Sequence, residues 1–350
     1  MHILQINTEK GWRGGERQTL LSMQGLRKAG IRVTLLCLKE RPLFCKAAEG
    51  GYEVIGVKNQ FGALLHLLLR GKRYSVLHAQ SSRAFGVAAL ATLLARVPLV
   101  YTRRTVFALH GFLSKLKFRR ASALLAISKA AGQAIERAGL PQPEIISSMV
   151  IPSTGNQERI VRFKRDNSLD GKLIVGVVAA LTREKNPFGM VDTARIVCRQ
   201  MPQVCFVHFG DGALLNEMRD RIAQAQLQGN YLCAGFQEKV EELFEMFDVF
   251  AMASLAEGLG SSVLDAFAAG IPVASSDAGG LAELVQGRGL LSPKGDAELL
   301  AKNITTLLTT RKQAAALCSI AKRYVVENHG MKVLTERYIA LYRSVMTRNL

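Results

Sequence analysis

Nowhere does the 350-residue chain hold the ~18–20 consecutive apolar residues that a helix needs to cross a bilayer. The nearest stretch, Ala84 to Tyr101, is broken by Arg96 and Pro98, so no membrane-spanning helix is expected. The apolar N-terminal stretch Met1-His-Ile-Leu-Gln-Ile6 is too short for a signal peptide and reads as a buried first strand. Cysteine is sparse. Cys37, Cys45, Cys198, Cys205, Cys233 and Cys318 include no C-x-x-C, and most lie in apolar surroundings such as Val204-Cys205-Phe206. Free buried thiols in a reducing cytosol are therefore expected, rather than zinc sites or a disulfide framework. A single tryptophan, with no aromatic–basic RNA motif and no zinc pattern, argues against nucleic-acid binding. No strand-like run leads into Gly-x-Gly-x-x-Gly, which argues against a dinucleotide-dependent oxidoreductase.

Acidic residues are scarce in one half only. Residues 1–150 carry 23 Lys/Arg against 7 Asp/Glu, a net of +16, whereas residues 151–350 carry 23 against 21, a net of +2. A field so one-sided implies an anionic partner: nucleic acid, acidic lipid, or a phosphorylated or acidic substrate. What the chain does have is core material. Hydrophobic residues make up 49% and charged residues 21%, and the length suggests two domains.

Both halves alternate strand-like and helix-like segments. Ile3–Ile6, Arg32–Cys37, Tyr52–Ile55, Ser75–His78, Leu99–Tyr101, Ala123–Ile127 and Ile145–Ile151 read as strands of the first half. Leu173–Val178, Val204–Phe209, Tyr231–Cys233, Val249–Met252, Ile271–Ala274 and Gly289–Leu291 follow in the second. Helical patterns such as Glu16 to Lys28 and Phe85 to Ala95 lie between them, which predicts parallel sheets. The expected fold class is α/β, two Rossmann-like domains facing across a cleft. The first domain is placed at residues 1–152 and the second at 173–325, with a polar linker at 153–172. A C-terminal helix at 326–350 is expected to cross back to the first domain.

Open parallel sheets bind ligands at the carboxyl ends of their strands, so the residues following the strands are the candidates for chemistry. Gly14-Gly15 opens a helix after the first strand; an anion cradle and an ordinary tight turn are both open. Lys185 stands before Asn186-Pro187 at a helix start, either a mobile charge for a phosphate or a solvated loop lysine. The most informative stretch is Glu257-Gly-Leu-Gly260-Ser261-Ser262-Val263-Leu-Asp265, running on to Gly270-Ile-Pro-Val273. One acid sits in a loop, a Gly-x-Gly turn leads into a helix start, and a second acid follows eight residues after the first. A diphosphate would rest on that helix N-terminus, with the acids free to hold hydroxyl-rich sugars.

At these residues the sequence resembles the retaining, nucleotide-sugar-dependent glycosyltransferases of family 4, which have the GT-B architecture. The likeness covers nearly the whole chain. It includes Gly14-Gly15, Val150-Ile-Pro152, Glu184-Lys185, Gly210-Asp-Gly212, Glu257 to Gly270 and Gly279-Gly280-Leu-Ala-Glu283. The resemblance implies that Glu257 holds donor-sugar hydroxyls and that Asp265, where the family usually has glutamate, binds the ribose. It also implies that Lys185 and the helix start at Ser261, Ser262 and Val263, beside Gly260, meet the diphosphate. Gly14, Gly15 and Gly210 would lie near the donor. The family's usual Gly-Arg-Leu is Ala179-Ala180-Leu181 here, and Arg183 is the nearby candidate to replace the missing arginine. Arg104 falls at about the position of a family histidine, with Arg103 beside it; an arginine pair favours a donor or acceptor bearing carboxylate or phosphate. His110 is the other candidate for the histidine role. His78-Ala-Gln80 resembles a His-x-His of relatives, and His78 either lines the acceptor side or is a satisfied strand-end histidine.

The implied reaction moves a sugar from a UDP- or GDP-linked donor with retained configuration. Its leaving diphosphate gathers negative charge, so cations and N–H donors are the useful groups, with Glu257, Lys185 and Arg104 as the catalytic set. No Asp-x-Asp occurs, so no metal and no cofactor are expected. The segment Phe107 to Arg120 interleaves apolar residues with cations, and Phe112, Lys115, Lys117, Arg119 and Arg120 read as an amphipathic contact with an anionic membrane. The acceptor is then expected to be a lipid-linked or lipopolysaccharide-type glycan at the inner face of the cytoplasmic membrane. The rival readings are a non-catalytic nucleotide-sugar-binding relative and a nucleic-acid-binding protein using the basic half.

Overall fold

The computed structural model describes residues 1–109, 112–152 and 154–348. The chain divides into two compact units: residues 1–149 with 329–350, and residues 150–328.

The first unit is a seven-stranded sheet of β1 (His2–Asn7), β2 (Arg32–Leu38), β3 (Glu53–Val57), β4 (Val76–Ala79), β5 (Leu99–Arg103), β6 (Ala123–Ala126) and β7 (Glu144–Ile145). The order is β3-β2-β1-β4-β5-β6-β7, every pair parallel. Helices cover both faces, which is why the central strands read as near-continuous apolar runs. Leu4, Ile6, Leu77 and Tyr101 pack on one side against Ala63, Phe85 and Phe118. Ile3, Leu35 and Val100 pack on the other against Met23, Tyr338 and Tyr342 of the final helix, Met331–Thr347. The seventh strand is shorter than the sequence suggests. Its continuation leaves the sheet at Ile146, although Ile146 and Met149 stay buried.

The second unit is a six-stranded parallel sheet of β8 (Leu173–Val178), β9 (Val204–Phe209), β10 (Tyr231–Gly235), β11 (Val249–Met252), β12 (Val273–Ser276) and β13 (Leu290–Ser292). Its order is β10-β9-β8-β11-β12-β13. The strand expected at Ile271 starts two residues later. Pro272 has no N–H for the ladder, and only its carbonyl takes part, accepting from Phe250 N at 2.9 Å.

The polar stretch 153–172, expected as a linker, contains the helix Gln157–Asp166 and belongs to the second unit. Asn156 caps it, accepting from Arg159 N at 3.0 Å. Arg159 then reaches Glu242 at 3.1 Å and the carbonyl of Glu238 at 2.7 Å. Its burial is thin, with only Ile160 fully inside, so apolar periodicity gave no sign of it.

Candidate active site

In the second unit the chain runs from β8 out to β10 and then returns to β11 on the other side of β8. The loops after β8 and β11 therefore part, leaving a crevice at the carboxyl edge. After β8 the backbone passes through a single turn, Arg183–Lys185, into the helix Pro187–Gln200. Asn186 caps that helix by accepting from Gly189 N at 3.2 Å, which holds Lys185 at its mouth. After β11 the loop 253–260 is tied to the first loop, Leu255 N donating to the Glu184 carbonyl at 2.8 Å.

Two loops so joined bring the sequence's strongest candidates together. The Lys185 ammonium and the Glu257 carboxylate form an ion pair, half-buried rather than sealed in the core. Glu257 also accepts from Gly258 N at 3.2 Å, and its carbonyl accepts from Gly280 N at 3.0 Å. That approach requires glycine, because a Cβ on Gly280 would overlap the Gly258 carbonyl. Gly260, at φ +97°, begins the helix Ser261–Ala269, and no side chain caps it. The N–H groups of Ser261 and Ser262 are thus open to an anion. Ser261 and Ser262 are half-exposed at this start, and Asp265 is buried one turn on. Val263 does not serve as expected. Its N–H already donates to the Gly260 carbonyl at 3.0 Å, and its side chain is in the core. Gly210 packs against the Ala179 carbonyl beneath the crevice, and Arg183 is exposed at the rim.

In the first unit the corresponding divergence lies between β1 and β4, and it is built from polar side chains in contact. His78 is fully buried on β4, its Nδ1 2.7 Å from the Tyr342 hydroxyl and its Nε2 2.7 Å from Thr102 Oγ1. Gln5 donates to Tyr342 at 3.2 Å, Gln80 donates to Gln5 at 2.8 Å, and Arg104 donates to Gln80 at 2.6 Å. Burial pushes the His78 pKa down to about 3, so the bridging imidazole is neutral. The acceptor-side reading of His78 is therefore corrected: it is a satisfied core histidine that supports Gln80 and, through it, Arg104.

Arg104 ends this chain beside Gly15, where a Cβ would lie 3.5 Å from the arginine Cδ. Its Nε is buried with no partner. Burial lowers its pKa, and the Glu16 carboxylate opposes that shift. Glu16 was not singled out in the sequence. It accepts from Arg13 N at 2.9 Å and from Asn7 Nδ2 at 3.3 Å, and burial raises its pKa. An acid three residues after a helix start was the available signal. Gly14, two residues before it, is exposed as the helix opens.

Arg103 does not pair with Arg104. It turns inward, donates to the Phe107 carbonyl and is buried, which removes it from the acceptor side. His110 and the Phe112 side chain lie outside the described residues. Among the remaining membrane candidates, Lys115, Arg119 and Arg120 are exposed. Lys117 is corrected. It leans over the rings of Phe85 at 5.7 Å and Phe118 at 5.9 Å, and Phe118 is part of the core. A further feature escaped the sequence reading. A groove of about 680 Å³ at the ends of β1, β2 and β3 is lined by the cations Lys10, Lys39, Arg41, Lys58 and Arg83 and by one carboxylate, Glu40.

Residues 12–152 match the family model described as Glycosyltransferase Family 4, and residues 159–324 match the one described as Glycosyl transferases group 1. The chain is 31% identical over 223 residues to a putative glycosyltransferase, EpsF, of Bacillus subtilis (strain 168), covering 58% of each. It is 24% identical over 238 residues to the UDP-Gal:alpha-D-GlcNAc-diphosphoundecaprenol alpha-1,3-galactosyltransferase of Escherichia coli, covering 62% of this chain and 61% of that one. The chain thus spans less than two thirds of these two relatives. The fold matches Anabaena Alr3699/HepE, solved with UDP-glucose, at a TM-score of 0.87 and 21% identity, over 98% of this chain and 100% of that one. Two glycosyltransferase family models between them take in both sheets, and the fold shared from end to end gives this chain the GT-B architecture.

Proposed function

We propose that the protein transfers a sugar from a UDP-linked donor, with retained anomeric configuration and without a metal, to a lipid-linked or lipopolysaccharide-type glycan. The observation that carries this reading is the Lys185–Glu257 pair beside the uncapped helix Ser261–Ala269. Without donor the two charges satisfy each other. A bound nucleotide sugar would separate them, Lys185 and the helix N–H groups meeting the diphosphate while Glu257 turns to the sugar hydroxyls. As the glycosidic bond to the diphosphate breaks, negative charge grows where these donors already point, so little reorganisation is needed. Asp265 would take the ribose and Arg183 the outer phosphate. Arg104, held by Gln80 near Gly15, would meet an anionic group of donor or acceptor.

Support for UDP comes from the relative named for UDP-Gal and from the fold neighbour solved with UDP-glucose. The first of these names also supports a polyprenyl diphosphate as the acceptor's anchor. The five-cation groove suits a phosphate on such an acceptor. Work at the inner face of the cytoplasmic membrane follows from such an acceptor and from the basic first half.

Thermal shifts with UDP, GDP, ADP, CMP and their sugar conjugates test the donor. Ligand at a hundredfold excess over its Kd should add about 2.7 kcal/mol of stability. The expected result is a shift by UDP, a further shift by one UDP-sugar, and loss of that increment in Glu257→Ala. NMR of the product's anomeric proton then reads retention, and activity undiminished in EDTA reads metal independence. A UDP-sugar shift with no turnover on any lipid-linked glycan would favour the non-catalytic binder.

A further inference from the structure

Between Glu53 and Glu136 the chain has no acidic residue, while 13 lysines and arginines fall in that interval. Three helices of the first unit lie within it: Gln60–Arg70, Ser82–Ala95 and Phe112–Phe118. The middle one is apolar around almost its whole circumference, carrying Arg83 as its only charge. It buries Ala84, Phe85, Ala88 and Ala91, yet Leu90, Leu93 and Leu94 face outward, Leu94 being 74% exposed. A helix apolar on all sides is ordinarily covered on all sides. Its neighbour Gln60–Arg70 repeats the pattern. Ala63 and Leu67 are buried, while Phe61, Leu65, Leu68 and Leu69 are turned out, Phe61 at 72% and Leu69 at 73% exposure. The two helices pack side by side, so these side chains form one uncovered apolar layer.

Topology places cations along one border of that layer. Each helix runs from the carboxyl edge of the parallel sheet back to its amino edge, so its C-terminal end stands where the next strand starts. Leu68 and Leu69 lie there, followed by Arg70, Lys72 and Arg73; Leu93 and Leu94 lie there, followed by Arg96. The short helix joins the same border. Its Phe118 packs 5.0 Å from Phe85, and Arg119 and Arg120 follow, exposed, before β6.

We propose that this face, formed mainly by Gln60–Arg70 and Ser82–Ala95, docks the first unit on an anionic lipid bilayer. The outward leucines and Phe61 enter the acyl boundary, and Arg70, Lys72, Arg73, Arg96, Arg119 and Arg120 lie among the headgroups. Charge decides the occupant. A second copy of this chain would set the same cations against each other, whereas an acidic membrane supplies both the apolar layer and the counter-charge. The inference deepens the membrane-surface reading given above and leaves the donor crevice of the second unit untouched.

Flotation of the full chain with vesicles tests it, comparing phosphatidylcholine alone with phosphatidylcholine containing roughly 30% phosphatidylglycerol. Wild type should float with the anionic vesicles only, and less at high salt. Leu69→Ser/Leu94→Ser should lower partitioning by roughly tenfold or more. Arg70→Gln/Arg73→Gln should lower it by about fivefold for each charge and flatten the salt dependence. Both variants should keep the wild-type UDP-induced thermal shift, which shows them folded and separates this result from the fate of the donor site. The proposal is overturned if wild type ignores anionic vesicles, or if the leucine variant floats as wild type does. It is also overturned if light scattering shows a dimer that the leucine variant abolishes while vesicle binding persists.

Discussion

The carboxyl edges of the two sheets solve one problem with different materials. In the second unit the edge is backbone: close glycines, an uncapped helix start, and one ion pair that a ligand can part. In the first unit it is side chain: a buried relay from Tyr342 through His78, Gln5 and Gln80 to Arg104, whose geometry is fixed before any ligand arrives. An edge of the first kind can rearrange around a diphosphate at little cost, because the pair it gives up is partly solvated. An edge of the second kind can only present what it holds. The comparison teaches that chemistry should respond most sharply to changes in the second unit, and stability to changes in the first.

The largest effect expected is on turnover in the second unit. Glu257→Ala should lower kcat/KM by roughly 10³, the scale of removing one transition-state contact. Its cost in folding should be about 1–3 kcal/mol, because the two side chains are only 23% and 13% exposed and Lys185 loses its partner, so the effect on turnover dominates. If Arg104→Gln cost more turnover than Glu257→Ala, the division of labour between the two edges would be broken. Tyr342→Phe should show the opposite profile. It strips a hydroxyl from both His78 and Gln5, and buried groups left without partners cost about 1–3 kcal/mol. Urea unfolding should register that loss, while the UDP-induced shift stays unchanged.

These two variants also show what the sequence could and could not disclose. The stretch from Glu257 to Gly270, with Lys185, was readable because a diphosphate site in a parallel sheet is local: glycines, a helix start and short loops, each marked within a few residues. Strand positions were readable for the same reason, from apolar runs covered on both faces. His78 was not readable. Its partner Tyr342 lies 264 residues away, and no local pattern separates a core histidine from a substrate contact. Lys117 misled because its neighbours alternate like a surface helix, while Phe118 beside it is a core residue. The groove cations come from three separate loops and the start of the helix Ser82–Ala95, so no spacing announces them.

Acid offers a way to weigh the two units against each other. Burial holds His78 at about 3 and His208 of the second unit at about 4, both below the ordinary value of 6.5. Below pH 6.5 the unfolded chain therefore binds protons that the folded chain refuses. Each histidine's contribution is fully present above pH 6.5 and is lost as pH falls, down to about 3 for His78 and about 4 for His208. The slope is ~1.4 kcal/mol per pH unit, so each should cost about 2 kcal/mol between pH 6.5 and pH 5. His208→Gln should flatten that acid limb by one histidine's share and leave the other. An unchanged limb would show that His208 is not neutral in the folded state.

The smallest effect separates the groove of the first unit from both edges. Lys10, Arg41 and Lys58 form no ion pair among the described residues, whereas Lys39 and Arg83 sit near Glu40 at 3.5 Å and Glu9 at 3.4 Å. The first three are the charges free to act on a ligand. They are exposed, so each interaction is screened and worth at most about 1 kcal/mol. Lys58→Glu should raise KM for a phosphorylated glycan acceptor by about fivefold at low salt, with kcat, the UDP shift and the melting temperature unmoved. The gap should close as salt rises. If acceptor KM stays the same while KM for the UDP-sugar rises, the groove serves the donor. The first unit would then share in the work that the comparison assigns to the second.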